Sequence, residues 1–294
     1  MSEASSSNHS RQDDPSVPTG RIEKLTDGWA LAFDKQFDYP AAHIWDVLIN
    51  PRKVEQWLGT VTPDWELGKE YTLDMGGGSA SGTVLQLTPR SSLQITWDDD
   101  LGEESVLEWQ VLDSDGGALL QFRSRTDTPD FLAEGSAGWQ GILRAFAAVA
   151  AGNPPPGEPP GQWRALRDAY SREFGISPTM GYLDAGDGQN TEQATLVFER
   201  WYDAAAEDIS AAVESSGGNL RLGDGAEITV TEEDGVGKLR IRQRIEAGNQ
   251  QDTAALMAAW HLALDSAAVR LLGETPHPNS HRLRALEALY SSNL

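Results

Sequence analysis

The strongest constraint on this chain is an internal repeat that survives mostly as spacing. Phe33 to Ile44 reads FDKQFDYPAAHI and Phe198 to Ile209 reads FERWYDAAAEDI, the same eleven-residue step. Trp139 stands thirteen residues before Gly152, as Trp260 stands before Gly273, and Leu166 and Tyr170 return four apart as Leu286 and Tyr290. A first strand, a closing helix and a trailing helix therefore occur twice in one order, which predicts one supersecondary unit built twice. The second copy is the shorter. Ile44 to Trp139 spans 95 residues and Ile209 to Trp260 only 51, so one hairpin stands where the first copy has five strands.

A length of 294 residues suits about two domains of ordinary size. The chain has no stretch of about 18 apolar residues, so no membrane span is expected. Residues 1–20 are polar, with no apolar region of a secretory signal, and read as a disordered tail. No Cys is present, which excludes disulfides, thiolate metal sites and a Cys nucleophile, and makes the cytoplasm the default compartment. A net charge of −22 argues against nucleic acid, which binds basic surfaces.

Leu31, Phe33 and Phe37 alternate with polar residues as in a half-buried strand. Pro40 opens a short helix with Ile44, Val47 and Leu48 on one face, and Asn50-Pro51 begins another through Trp57 and Leu58. Strands follow at Glu70–Met75, Gly82–Leu87, Leu93–Trp97, Val106–Leu112 and Ala118–Arg125, with a hairpin turn at Asp113–Gly117. Ser136 is the expected cap of a long helix striped by Trp139, Ile142, Leu143, Phe146 and Val149 and ended by Gly152. In the second copy, Ala226–Thr231 and Lys238–Ile245 form the hairpin that packs on helix Ala254–Leu272. NPPPGEPPG at Asn153–Gly161 looks like a linker by composition. The shorter ETPHPN holds the same place in the second copy, so the boundary belongs later, in the Gly- and Asp-rich segment Gly175–Asn190. The division is a tail at 1–20, a first domain at 21–176, a linker at 177–190 and a shortened repeat at 191–294.

The stretches FDYPAAHIWDVLINPRKVEQWLG, GKEYTL, GTVLQLTPRSSLQITW and AGWQGIL, over about residues 29 to 152, resemble the START-like (SRPBCC) superfamily. Within it they are most similar to the branch of the activator of heat-shock-protein-90 ATPase (AHSA1-like). The resemblance implies an α+β helix-grip fold (START-like, Bet v 1-like), an antiparallel sheet wrapped on a long C-terminal helix, followed here by the abridged copy. It also implies a sheet–helix cavity that in relatives often holds an apolar or amphipathic ligand. Relatives include cyclases and hydrolases, lipid and hormone carriers, and chaperone regulators, so the fold does not dictate the chemistry. The N-terminal domain with which the eukaryotic activators engage the chaperone is not visible here.

Several residues are candidates. Tyr71, Trp97, Trp109, Trp139 and Leu143, with Trp57 near the mouth, either line a ligand cavity or fill the core. Lys35, between Phe33 and Phe37, faces a ligand carboxylate or phosphate or else snorkels off the sheet edge, and Arg200 holds the matching place in the second copy. Lys238, Arg240, Arg242 and Arg244 form a basic row that either docks an acidic protein partner or pairs across strands with Glu227, Glu232 and Glu233. His277 and His281 stand four apart, but Pro276 and Pro278 break a helix there, so no metal site is expected. His43 and His261 read as helix-surface residues. Gly76–Gly78 reads as a turn, and the acids Asp98, Asp99, Asp100, Glu103 and Glu104 as a solvated loop. No nucleophile–base pair and no cofactor motif is present. The expectation is a non-enzymatic, stress-related START-like protein that binds a small hydrophobic or amphipathic ligand. An interaction module regulating a chaperone or other ATPase is the second reading, and a cyclase or hydrolase the third.

Overall fold

The structure is a computed structural model describing residues 14–76, 78–99, 104–159, 161–184, 193–216, 226–233, 235–246, 249–277 and 280–293. The expectations for residues 1–13, Gly77, Asp100 and Glu103 lie outside the described residues. Two compact units result, the first ending at Ile176 and the second starting at Ser177.

In the first unit, β1 (Arg21–Leu25) and β2 (Gly28–Phe37) form a hairpin, followed by α1 (Ala41–Ile49) and α2 (Pro51–Trp57). Asn50 caps α2 by accepting from the Arg52 backbone N–H, with Pro51 in the first helical position. A meander follows: β3 (Thr60–Thr62), β4 (Glu70–Asp74), β5 (Ser79–Thr88), β6 (Ser92–Asp99), β7 (Ser105–Ser114) and β8 (Gly117–Thr126). Then come α3 (Leu132–Ala150) and α4 (Gln162–Phe174). The eight strands lie in the order β1-β2-β8-β7-β6-β5-β4-β3, every neighbour antiparallel. The chain leaves β2, crosses to the far edge through two short helices and returns to pair β8 with β2. With α3 packed on the sheet, this is the helix-grip fold.

Period-two alternation puts Phe33, Phe37, Leu93, Ile95, Trp97, Leu107, Trp109, Leu120 and Phe122 into one core with Trp139, Leu143 and Phe146 of α3. Burying each such aliphatic or Phe side chain stabilises by about 1.5–3 kcal/mol. The β7–β8 turn sits where expected, closing Ser114 against Gly117 through Gly116 at φ 87°.

Some elements depart from expectation. β1 and β3 are additional strands at the two sheet edges. The closing helix begins at Leu132 rather than beside Ser136, entered through Phe131 in the left-handed region at φ 58°. Ser136 is buried inside the helix, where its hydroxyl donates to the Leu132 carbonyl at 2.7 Å. Residues 14–20, read as part of a free tail, run along α3: the Gln140 amide donates to the Val17 carbonyl at 2.8 Å, and the Thr19 N–H donates to Gln140 Oε1 at 2.9 Å.

The second unit holds β9 (Tyr182–Asp184), β10 (Gln193–Tyr202), α5 (Ala206–Ser216), β11 (Ala226–Glu233), β12 (Val236–Glu246), α6 (Gln250–Leu271) and α7 (Ser280–Asn293). Its sheet runs β11-β12-β10-β9, all antiparallel, with β10 paired to β12 as β2 is to β8. Among the described residues nothing corresponds to α2 or β3–β6. The segment read as a linker is structured in its first half. Thr179, Met180 and Gly181 are buried, β9 pairs with β10, and Ser177 Oγ accepts from the Trp201 N–H at 2.9 Å.

Candidate functional site

One hydrogen-bonded device occurs in both units. In the first, Tyr170 of α4 is buried, and its hydroxyl accepts from the Gly20 N–H at 2.9 Å and donates to Gln140 Oε1 at 2.5 Å. Desolvation raises that phenol from 10.0 to about 12. Gly20 must lack a side chain, because a Cβ there would lie 2.4 Å from the Phe33 ring. In the second unit the Tyr290 hydroxyl accepts from the Gly181 N–H at 3.1 Å and meets His261 Nδ1 at 2.8 Å. A Cβ on Gly181 would lie 2.5 Å from the Phe198 ring. Gln140 follows Trp139 and His261 follows Trp260, so amide and imidazole hold the same place.

Beside this clamp in the first unit is a cavity of about 420 Å³. The sheet contributes Phe33, Asp34, Lys35 and Gln36, α3 contributes Gln140, Leu143 and Arg144, and the N-terminal segment contributes Asp14, Pro15 and Thr19. Lys35 is exposed, its Nζ 5.9 Å from the centroid of the Phe37 ring. Asp34 accepts from Arg21 at 2.9 Å and Gln121 at 3.0 Å. Asp14 accepts from the Ser16 N–H at 2.9 Å and hydroxyl at 2.7 Å. Both carboxyls lie below their ordinary value: the hydrogen bonds outweigh a desolvation that is the largest single effect at Asp34, and they dominate at Asp14.

Of the residues expected to line a cavity, the structure brings Lys35 and Leu143 to this one. Of the expected aromatics, Trp97 and Trp109 pack on Trp139, and Tyr71 packs on Trp65. Trp139 is the hub, with ring centroids 5.5 Å from Trp97, 6.0 Å from Trp109 and 4.4 Å from Phe122. Trp57 packs edge-on against Phe146 at 5.0 Å and donates to the Val47 carbonyl at 3.0 Å. Tyr71 donates to the Thr96 carbonyl at 2.7 Å, and its burial raises the phenol above its ordinary range. Asp98 and Asp99, expected in a solvated loop, lie in β6, and Trp97 Nε1 donates to Asp99 at 3.1 Å. Sequence reasoning missed Gln140, Arg144 and Thr19. Arg144 and Gln140 flank Leu143 on the helix face already marked apolar, which was the available signal.

In the second unit, two expectations are corrected. His261 is fully buried rather than a surface residue, between Tyr290 and Phe198 and with Nε2 3.6 Å from Asp265 Oδ1. Burial, then the charges of Arg200 and Arg282, hold its imidazole well below the ordinary value. Arg200 does not snorkel; it is 6% exposed and donates to Asp265 at 3.3 Å. His43 is half-buried and bonds the Ala150 carbonyl through Nε2 at 2.8 Å.

The basic row is engaged within its own sheet: Lys238 with Glu233, Arg240 with Glu199 at 3.3 Å and Arg242 with Asp184 at 4.0 Å. The partners are carboxylates on β11, β10 and β9 rather than on β11 alone. Arg244 is exposed at the end of the row. His277 lines a second cavity, of about 550 Å³, with Leu262, Asp265, Val269 and Arg282, while His281 is exposed on α7. Gly76 and Gly78 lie between β4 and β5, with the Met75 N–H donating to the Gly78 carbonyl at 3.0 Å. No described helix is long and apolar enough to cross a membrane.

Residues 38–151 match the family described as activator of Hsp90 ATPase homolog 1-like protein, so the chain carries a domain of that family over those residues. Among solved structures, it is similar to CalU16 from Micromonospora echinospora, 19% identical over 54% of this chain and 94% of that one, with a TM-score of 0.43. It is also similar to DynU16, a protein of the dynemicin biosynthetic locus, 15% identical over 85% of this chain and 98% of that one, TM-score 0.43. A third is the protein EF2215 from Enterococcus faecalis, 13% identical over 53% and 90%, TM-score 0.44. No curated protein matches the chain.

Proposed function

We propose that the first unit binds a small amphipathic molecule in the cavity between β2, α3 and residues 14–19, without transforming it. One observation carries this reading: the cavity of about 420 Å³ lies between the sheet and its closing helix and combines apolar Phe33, Leu143 and Pro15 with charged and polar groups. That volume falls within the range of sites that enclose small ligands. The aromatic cluster around Trp139 lies outside this lining, and its rings fill the deep interior of the unit. Binding is favoured over catalysis because Gln140 and Thr19 are engaged with each other and Gln140 with Tyr170, which leaves them holding backbone rather than moving protons. We further infer that the second unit is an abridged copy of the first. The matching strand pairings and the Tyr–Gly clamp built twice support this.

The test is a thermal-shift panel of fatty acids, aromatic acids and polyketides with their neutral counterparts. A ligand that binds only the folded chain raises Tm by mass action. If no member of the panel moves Tm, the binding reading fails.

A further inference from the structure

The strand pairings match the two sheets residue by residue. Phe33 of β2 faces Phe122 of β8, which faces Trp109 of β7; Phe198 of β10 faces Ile241 of β12, which faces Ile228 of β11. In the same register Val230 takes the place of Val111, and Ala226 that of Leu107. Leu107, Trp109 and Val111 are all buried, and β6 flanks them, with Ile95 opposite Leu107 and Leu93 opposite Trp109. Ala226, Ile228 and Val230 are only half-buried. The described sheet of the second unit ends at β11, so no described strand stands there in the place of β6.

Such an edge is a template for another strand, because alternate residues turn their N–H and C=O groups outward. Proteins blunt edges with Lys, Pro or a bulge. β11 has none of these: it reads AEITVTEE, keeps an unbroken register with β12, and runs four β-branched residues in succession at Ile228–Thr231. Glu227, Thr229 and Thr231 on its other face are exposed. β11 is also complementary to itself. A twofold axis through Thr229 sets Ile228 against the partner's Val230, Glu227 against the partner's Thr231 and Ala226 against the partner's Glu232. No acid then faces an acid, and the half-buried apolar stripe continues into the second copy. An axis through Val230 would set Glu227 against the partner's Glu233, a like-charge pair, and one through Ile228 would leave Thr231–Glu233 unpaired. Two four-stranded sheets joined at this edge make one of eight strands, the size the first unit's sheet reaches alone.

We propose that the edge of β11 is a homodimer interface, in which β11 pairs antiparallel with β11 of a second copy about a twofold axis at Thr229. This contact is independent of the ligand cavity in the first unit, and it gives the abridged sheet a role of its own. The chain's net charge of −22 opposes association, so the dimer tightens as salt rises.

Sedimentation velocity of the full chain over a concentration series tests it, and should show a monomer–dimer equilibrium that shifts toward dimer with added salt. Thr229→Lys sets two ammonium groups face to face at the axis. It should weaken the dimer by about tenfold or more and leave Tm of the dilute chain unchanged, because Thr229 is exposed. Cysteine substitution reads the register, since the chain has no Cys of its own. Thr229→Cys, opposed to itself, should give a disulfide-linked dimer under a mild oxidant such as diamide. Thr231→Cys, opposed to Glu227, should give much less. A chain that stays monomeric up to millimolar concentration would overturn the proposal. So would a dimer indifferent to Thr229→Lys, or one cross-linked equally well through Thr231→Cys, since either places the contact elsewhere.

Discussion

At the scale of single residues, two polar contacts decide how the closing helix is fastened. Tyr170 satisfies a backbone N–H at Gly20 that would otherwise be buried without an acceptor. Tyr170→Phe should therefore destabilise the protein by about 1–3 kcal/mol, read from urea denaturation. In the second unit the imidazole of His261 replaces the amide, and it brings a titration. Tyr290 of α7, Asp265 of α6, Arg200 of β10 and Arg282 of α7 face it. Its folded pKa lies below 6.5, so beneath that value the unfolded chain takes up a proton that the folded chain refuses. Stability is complete above 6.5 and falls as pH drops toward the depressed folded value, by up to about 1.4 kcal/mol per pH unit. His261→Gln, which copies Gln140, should flatten that part of a Tm-against-pH profile, and an unchanged slope would refute the assignment. The sequence displayed Tyr170 and Tyr290 by their spacing. It did not display their partners, because Gln and His share no identity and their equivalence lies in one hydroxyl's reach.

At the scale of elements, the closest approaches sit where each first strand begins. A Cβ at Gly20 or Gly181 would enter the ring of Phe33 or Phe198 at 2.4 or 2.5 Å. Gly20→Ala and Gly181→Ala should each cost about 1–3 kcal/mol by overpacking, measured by chemical denaturation. Trp139, in contact with three rings from three strands, is a larger anchor. Trp139→Ala should cost about 3–5 kcal/mol in the same measurement. The long alternating strands and the striped helix were legible because seven or more residues record which face is buried. Edge strands β1, β3 and β9 were not legible, since they span 5, 3 and 3 residues and are at most half-buried. The helix start was misplaced for a related reason: a Ser that can cap can equally return its hydroxyl to the carbonyl four residues back, as Ser136 does.

At the scale of the whole molecule, a net charge of −22 makes self-repulsion a general load on the folded state. Raising salt from about 0.01 M to about 1 M shortens the screening length from about 30 Å to about 3 Å, so Tm should rise across that range. A Tm that falls would mean that the local pairs around Asp34, Asp265 and the β12 row outweigh the repulsion. The order of the long strands and helices, the return of a strand, closing helix and trailing helix, and the sheet-facing residues followed from the sequence alone, because periodicity and spacing are local properties of a chain. Only the tertiary structure decided which candidates meet. Aromatics spaced to line a cavity pack on one another, since ring contacts fill the space that their side-chain directions merely allow. Lys35 and Arg144, 109 residues apart, line one cavity, and Arg200 pairs with Asp265, because facing positions on a sheet and a helix are set by packing across the core.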